Sequence, residues 1–133
     1  MNVSGVRWLD IPKILDDRGN LSFIEKGVDL AFDIKRVYWI YDVPGGEIRG
    51  GHAFKEQKEV IIALSGSFDV VLHNGITSAC YSLNRSYKGL YVPGMYWRHM
   101  ENFSTNAVCL ILASTFYSEE DYIYDFEIFT NFT

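Results

Sequence analysis

The sequence predicts an all-β domain, a sandwich or barrel of short strands, and three observations carry that prediction. Alternation of side chains is clearest over 35–43, where Arg36, Tyr38 and Ile40 take one face and Val37, Trp39 and Tyr41 the other. Turn signals recur at short intervals, at Pro44-Gly45-Gly46, Ser65-Gly66-Ser67, His73-Asn74-Gly75 and Pro93-Gly94. Aromatic residues make up 16% of the 133, an excess that suits pleated surfaces.

The elements follow in order. Residues 6–11 form an opening strand, which Pro12 and the cluster Asp16-Asp17-Arg18-Gly19-Asn20 interrupt. Residues 21–25 form a second strand, and a polar turn near Gly27 leads to the alternating strand at 35–43. Two strands joined by a turn come next, one carrying Arg49, His52 and Phe54, the other spanning 60–64. The run 68–73 ends at a hairpin signal and 77–83 pairs back. Residues 87–91, 97–100 and 107–113 supply the last strands. Ser118 followed by Glu119, Glu120 and Asp121 resembles a helix N-cap, so the aromatic, acidic tail over 121–132 is expected to be a short helix or arm. Neither a repeat nor a linker divides the chain, and a single domain over 1–133 is long enough to bury one core.

Composition excludes several functions. With 48% hydrophobic residues the chain is not a disordered one. A net charge of −5 gives no global field for nucleic acid, so an anionic ligand needs a local arginine cluster. The apolar runs all fall short of the roughly 20 residues of a membrane span, and the first residues lack the apolar run of a leader, so a cytoplasmic setting is expected. Cys80 and Cys109 have no metal spacing; Cys109, inside AVCLILAS, reads as a buried core thiol.

The chemistry concentrates between Arg49 and Leu72. His52 and Phe54 share a strand face, and inward residues converge inside a small β-barrel. An imidazole takes and returns a proton near neutral pH, which makes His52 the candidate base. Phe54 beside it raises the cost of charging that ring. Arg18, Arg36, Arg49 and Arg98 are candidates for an anion site, because guanidinium groups grip phosphate with paired donors. Arg98 has a second option, stabilising an enolate oxygen. Tyr38, on the face of Arg36, can hydrogen-bond a sugar or donate a proton, and Glu59 can orient His52 or balance an arginine. Tyr91 and Trp97 can stack a base or fill the barrel mouth. His73 sits at a turn and reads as solvated; His99 alternates away from Arg98 and reads as structural.

The spacing of Gly46, His52, Glu59 and Gly66 resembles the first cupin motif, and Pro93 and Asn102 fit the second. Phe54 and Arg98 stand where two metal-binding histidines belong, and a fixed cation repels a metal. A cupin-type jelly-roll barrel without a metal is therefore expected. The stretches DDRGNLSFIE, IKRVYWIYDVPGGEIRGGHAFK, LSGSFDVVL, GLYVPGMYWRHM and LASTFYSEEDYI, in order over nearly the whole chain, are similar to those of the sugar-nucleotide 3,4-ketoisomerases, the WxcM-like cupins.

The resemblance implies a dTDP-4-keto-6-deoxyglucose substrate whose ketone moves from C4 to C3, with no metal or other cofactor. It implies a cytoplasmic homodimer with exchanged amino-terminal strands. It also implies a route to the 3-amino-3,6-dideoxyhexoses of surface glycans such as lipopolysaccharide or S-layer glycan. By residue, it places His52 as base with Tyr38 and Arg49 in the catalytic set, and Arg18, Arg36 and Arg98 around the substrate, where the reading of the residues themselves adds Glu59, Tyr91 and Trp97. The chain departs from the family at Phe54, where a second histidine is usual. The combination of Arg18 with Arg98 departs as well; Arg98 favours the gluco product at C4. The competing readings are a 3,5-epimerase of the same nucleotide sugar, a binding module that lost turnover with the second histidine, and a metal-dependent cupin.

Overall fold

The computed structural model describes residues 4–27, 30 and 32–132. The turn expected near Gly27 runs into positions 28, 29 and 31, outside the described residues. In chain order the elements are β1 (Arg7–Asp10), β2 (Lys13–Ile14), β3 (Leu21–Ser22), β4 (Arg36–Ile40), β5 (Arg49–Phe54) and β6 (Glu59–Ser65). They continue with β7 (Phe68–His73), β8 (Ser78–Leu83), β9 (Lys88–Val92), β10 (Trp97–Glu101), β11 (Val108–Ala113), β12 (Tyr122–Ile123) and the helix α1 (Phe126–Asn131). Two antiparallel five-stranded sheets face each other, one in the order β1-β9-β6-β11-β4, the other β12-β5-β10-β7-β8, with β2 and β3 paired as a separate ribbon. The expected all-β jelly roll with a short carboxy-terminal helix is what the chain forms.

Alternation places one stripe of each strand between the sheets. Ile61 and Ala63 from β6, Val70 and Leu72 from β7, Leu90, Met100, Cys109 and Ile111 pack there as one buried cluster with Phe68 and Leu83. The opposite stripe of β6, Val60 and Ile62, meets Ile11 and Leu112 under the amino-terminal segment. On the far side of the other sheet, Ala53, Ile123 and Phe129 pack with Met95 and Trp97, which docks α1 against β5 and β10. Each stripe is an apolar surface removed from water, and the sandwich is held by burying the facing surfaces of the two sheets and part of each outer face, while Val37 and Trp39 of β4 stay exposed.

The two strands carrying His52 and Val60 are β5 and β6, joined by residues 55–58, and they lie in opposite sheets, so this connection carries the chain across the sandwich. Two local expectations are corrected. Ser118 makes no side-chain cap and precedes only a single 3₁₀ turn at Glu119–Asp121. The helix starts after Asp125, whose Oδ1 accepts from the N–H groups of Glu127 at 2.8 Å and Ile128 at 3.2 Å. The acid at 121 serves another loop: its oxygens accept from the N–H of Glu56 at 2.8 Å and of Gln57 at 3.1 Å. His73 is not merely solvated, since its Nδ1 accepts from Gly75 N–H at 2.9 Å and its ring meets Phe126 edge-on.

Candidate active site

The two sheets are joined in the interior by an ion pair. Glu59 enters from β6 and Arg98 from β10, and each is 1% exposed. Arg98 Nε donates to Glu59 Oε2 at 2.8 Å and Nη2 to Oε1 at 2.8 Å, the planar two-point geometry that arginine offers a carboxylate. Tyr38 of β4 donates its hydroxyl to Glu59 Oε1 at 2.9 Å and accepts from Arg98 Nη2 at 3.2 Å. Arg98 Nη1 reaches the carbonyl of Gly50 at 3.3 Å. A buried ion pair is tolerated when its remaining donors and acceptors are satisfied, and these are. Burial works to lower the pKa of Arg98, but the charge of Glu59 and the hydrogen bonds to it outweigh burial and hold the group above its ordinary value. Burial, followed by the charge of Glu59, pushes Tyr38 well above the ordinary phenol range.

Gly50 makes room for this arginine. Its φ is +77°, and a Cβ there would sit 2.5 Å from Arg98 Nη1 and 3.2 Å from Met100 Sδ. The pairing register between β5 and β10 shifts at the same place, between Arg98 and Met100. A left-handed glycine in a strand is the usual signature of such an irregularity.

His52 pairs across from Arg98 in the β5–β10 register. Its ring centre lies 4.8 Å from that of Phe54, 5.0 Å from Tyr122 and 6.0 Å from Tyr124. In this aromatic setting burial, and then the positive charge of Arg98, lower the imidazole pKa to about 3. His52 is therefore neutral at physiological pH, and its Nε2 is buried with no hydrogen-bond partner among the described residues. The other side-chain nitrogen in that condition is Arg36 Nε. Arg36 Nη2 donates to Gln57 Oε1 at 2.8 Å and lies 3.5 Å from the hydroxyl of Tyr122, while its guanidinium stacks 4.8 Å from the centre of the Tyr38 ring.

The chain thus brings His52, Tyr38, Arg36, Glu59 and Arg98 into one interior cluster. It does not bring the other four expected residues there. Arg18 lies on the exposed turn between β2 and β3, with its guanidinium on Asp16 at 2.9 Å. Arg49 is exposed at the start of β5. Tyr91 faces the outer cluster of its sheet, 6.2 Å from the Phe32 ring and under Arg7 at 5.1 Å. Trp97 alternates away from Arg98 and packs on Phe126 and Phe129 of α1. Gln57, Tyr122 and Tyr124 belong to the cluster although nothing in the motif spacing singles them out. The available signal was alternation, since Gln57 stands two before Glu59 and Tyr122 two before Tyr124.

The residues around His52 offer no metal cradle. Glu59 is held by Arg98, and no three His, Cys, Asp or Glu side chains converge among the described residues.

A family model described as FdtA, WxcM-like, C-terminal, matches residues 4–133. The chain belongs to this family. It is 40% identical over 124 residues to the TDP-4-oxo-6-deoxy-α-D-glucose-3,4-oxoisomerase of Aneurinibacillus thermoaerophilus, which covers 93% of this chain and 89% of that protein. Its fold superposes with a TM-score of 0.95 on a mutant of the 3,4-ketoisomerase QdtA from Thermoanaerobacterium thermosaccharolyticum in complex with TDP-4-keto-6-deoxyglucose, at 35% identity over 98% of this chain and 94% of that one. The WlaRB TDP-quinovose 3,4-ketoisomerase of Campylobacter jejuni superposes with a TM-score of 0.91, at 39% identity over 97% of this chain and 99% of that one. These WxcM-like relatives bear names matching the resemblance expected from the sequence.

Proposed function

We propose that this WxcM-like protein is a TDP-sugar 3,4-ketoisomerase acting on TDP-4-keto-6-deoxyglucose, with His52 as the base. The observation that carries the reading is a neutral imidazole whose buried Nε2 has no hydrogen-bond partner among the described residues, set between the sheets of a chain that belongs to this family. The C4 ketone acidifies the C3–H bond. His52 Nε2 takes that proton, the bond's electrons form a C3–C4 double bond, and the carbonyl electrons move to the oxygen on C4. A proton passes from the oxygen on C3 to its neighbour on C4. The C3 carbonyl then forms as C4 takes the proton back from His52. Atoms and electrons balance within the sugar, so no oxidant or reductant is needed. The burial that holds His52 neutral keeps it free to accept a proton but weakens it as a base, while its protonated form returns the proton readily.

A single base serves adjacent carbons on one sugar face, so Phe54 in place of a second histidine is compatible with turnover. Phe54 itself walls the imidazole and lies under Arg98, whose Cζ is 5.2 Å from the ring centre. Return of the proton to C4 on the face from which C3 lost it puts the new C4 hydrogen cis to the position of the former C3 hydrogen, the galacto arrangement, so the gluco product favoured by Arg98 requires a donor on the opposite face. The ketosugar feeds an aminotransferase on the way to a 3-amino-3,6-dideoxyhexose of a surface glycan. The working unit is a cytoplasmic homodimer with exchanged amino-terminal strands. In that unit Arg18 and Arg49, exposed in one chain, reach the nucleotide diphosphate.

Proton NMR of the protein with TDP-4-keto-6-deoxyglucose in heavy water tests this. A 3-keto product is expected, with couplings that read the C4 configuration; C4 carries the hydrogen taken from C3 where His52 returns it directly, and deuterium where the imidazolium exchanges with solvent first. Exchange at C3 and C5 with the ketone still at C4 would make the protein an epimerase. Nucleotide binding with neither a 3-keto product nor exchange would make it a binding module.

A further inference from the structure

Resting on the ketoisomerase reading, we infer that Arg36 is the oxyanion donor of the reaction, its Nε–H meeting the ketone oxygen at C4, and that Gln57 is the residue that positions it. Two buried side-chain nitrogens lack a partner among the described residues, and they are His52 Nε2, an acceptor, and Arg36 Nε, a donor. Both border Tyr122, whose ring centre is 5.0 Å from that of His52 and whose hydroxyl is 3.5 Å from Arg36 Nη2. A buried donor left bare costs about 1–3 kcal/mol, so a pair of complementary ones in a single cluster marks where a ligand supplies the missing bonds. Proton removal beside a ketone needs these two groups: a base for carbon and a fixed donor for the oxygen on which charge develops.

The other candidates for the oxygen are occupied. Arg98 has Nε and Nη2 on Glu59 and Nη1 directed at the Gly50 carbonyl. The hydroxyl hydrogen of Tyr38 goes to Glu59. Among the described residues of this cluster, Arg36 is the one that combines a positive charge with a buried, unpartnered N–H. Gln57 fixes its orientation. The amide is 1% exposed, accepts from Arg36 Nη2 at 2.8 Å and from the Thr115 hydroxyl at 2.8 Å, and donates to Glu59 Oε1 at 3.2 Å. Its own backbone N–H is held by Asp121. With Nη2 tethered and the guanidinium stacked on Tyr38 and Tyr117, rotation about the side chain is blocked and Nε stays where it is. The alternative use of Arg36, gripping the diphosphate, fits its setting less well, because Arg36 is half-buried and tethered beside Tyr38 whereas Arg49 and Arg18 are exposed.

The test is steady-state turnover of TDP-4-keto-6-deoxyglucose together with calorimetric binding of TDP, which lacks the sugar. Arg36→Lys keeps the charge but not the Nε position. It is expected to lower kcat on the order of 100-fold while the Kd for TDP changes less than about twofold. Gln57→Leu releases the arginine without touching substrate; a fall in kcat of about 10-fold, again with KM and TDP affinity nearly unchanged, is expected, and circular dichroism confirms the fold. TDP affinity falling in step with kcat/KM in Arg36→Lys would make Arg36 a diphosphate ligand and overturn the assignment. Unchanged kcat in either variant would overturn it as well. A wild-type protein that binds TDP without isomerising the sugar would instead remove the ketoisomerase reading, and this assignment with it.

Discussion

The interior of the sandwich has two ends that differ in one respect. Around Glu59 the polar groups are satisfied: both carboxylate oxygens, all three Arg98 nitrogens and the Tyr38 hydroxyl have partners. Around His52 the ring is walled by Phe54, Tyr122 and Tyr124, and Nε2 has none among the described residues. The satisfied end behaves as a rivet between sheets. The unsatisfied end keeps a base neutral and available, at some cost in stability. The two ends are coupled, because the charge of Arg98 helps to hold His52 neutral. A permanent cation anchored by a carboxylate is thus a means of tuning a base that it does not touch.

Perturbing the two ends should give opposite patterns. His52→Asn is expected to lower turnover by about 10²–10⁴-fold, with TDP affinity and thermal stability retained. Retained turnover in that variant would rule out His52 as the base. Glu59→Ala should do the reverse to the fold, leaving Arg98 buried without its partner at a cost of about 3–5 kcal/mol in chemical denaturation. A loss under about 1 kcal/mol would mean that the pair is not what joins the sheets. Gly50→Ala places a methyl 2.5 Å from Arg98 Nη1 at a φ of +77°, so a loss of about 1–3 kcal/mol is expected, accompanied by a raised KM or lowered kcat as the arginine shifts.

The smallest effect is on pH. The His52 pKa falls from 6.5 to about 3 on folding, so between those values the unfolded chain binds the extra proton and stability decreases as pH falls through that window. Melting temperatures from pH 7 to 4 should therefore fall less steeply in His52→Asn than in the wild type. Parallel slopes would show that the imidazole is not held neutral. By the same shift, kcat should show no acid limb from His52 between pH 8 and 5.

Legibility from sequence followed the range of the interactions. The face-sharing of Arg36 and Tyr38, the inward pointing of His52 and Phe54, the hairpin at Asn74-Gly75 and the buried thiol of Cys109 are consequences of a period of two and of local turn chemistry. The same period correctly turned His99 from the site, and it also separates Trp97 from Arg98, although motif proximity had grouped the two. Gln57 was passed over because it falls in the short KEQK gap between motif residues, yet it ties Arg36 to Glu59. The helix N-cap was misplaced from Asp125 to Ser118 because acidic residues follow both, and the choice depended on Asp121 being drawn to the amides of residues 56 and 57.

What the sequence by itself determined is the strands other than the two-residue β2 and β12, the side of the longer strands that goes inward, and the family to which their order belongs. Those depend on interactions between residues a few positions apart and on a pattern spread over the whole chain. What only the tertiary structure decided is who meets whom across the sandwich: that β5 and β6 part into opposite sheets, that Arg98 finds Glu59 at a separation of 39 residues, and that the tail returns Tyr122 to His52. Those contacts exist only after the loops have closed, and the same closure removes water from His52 and leaves two nitrogens without partners.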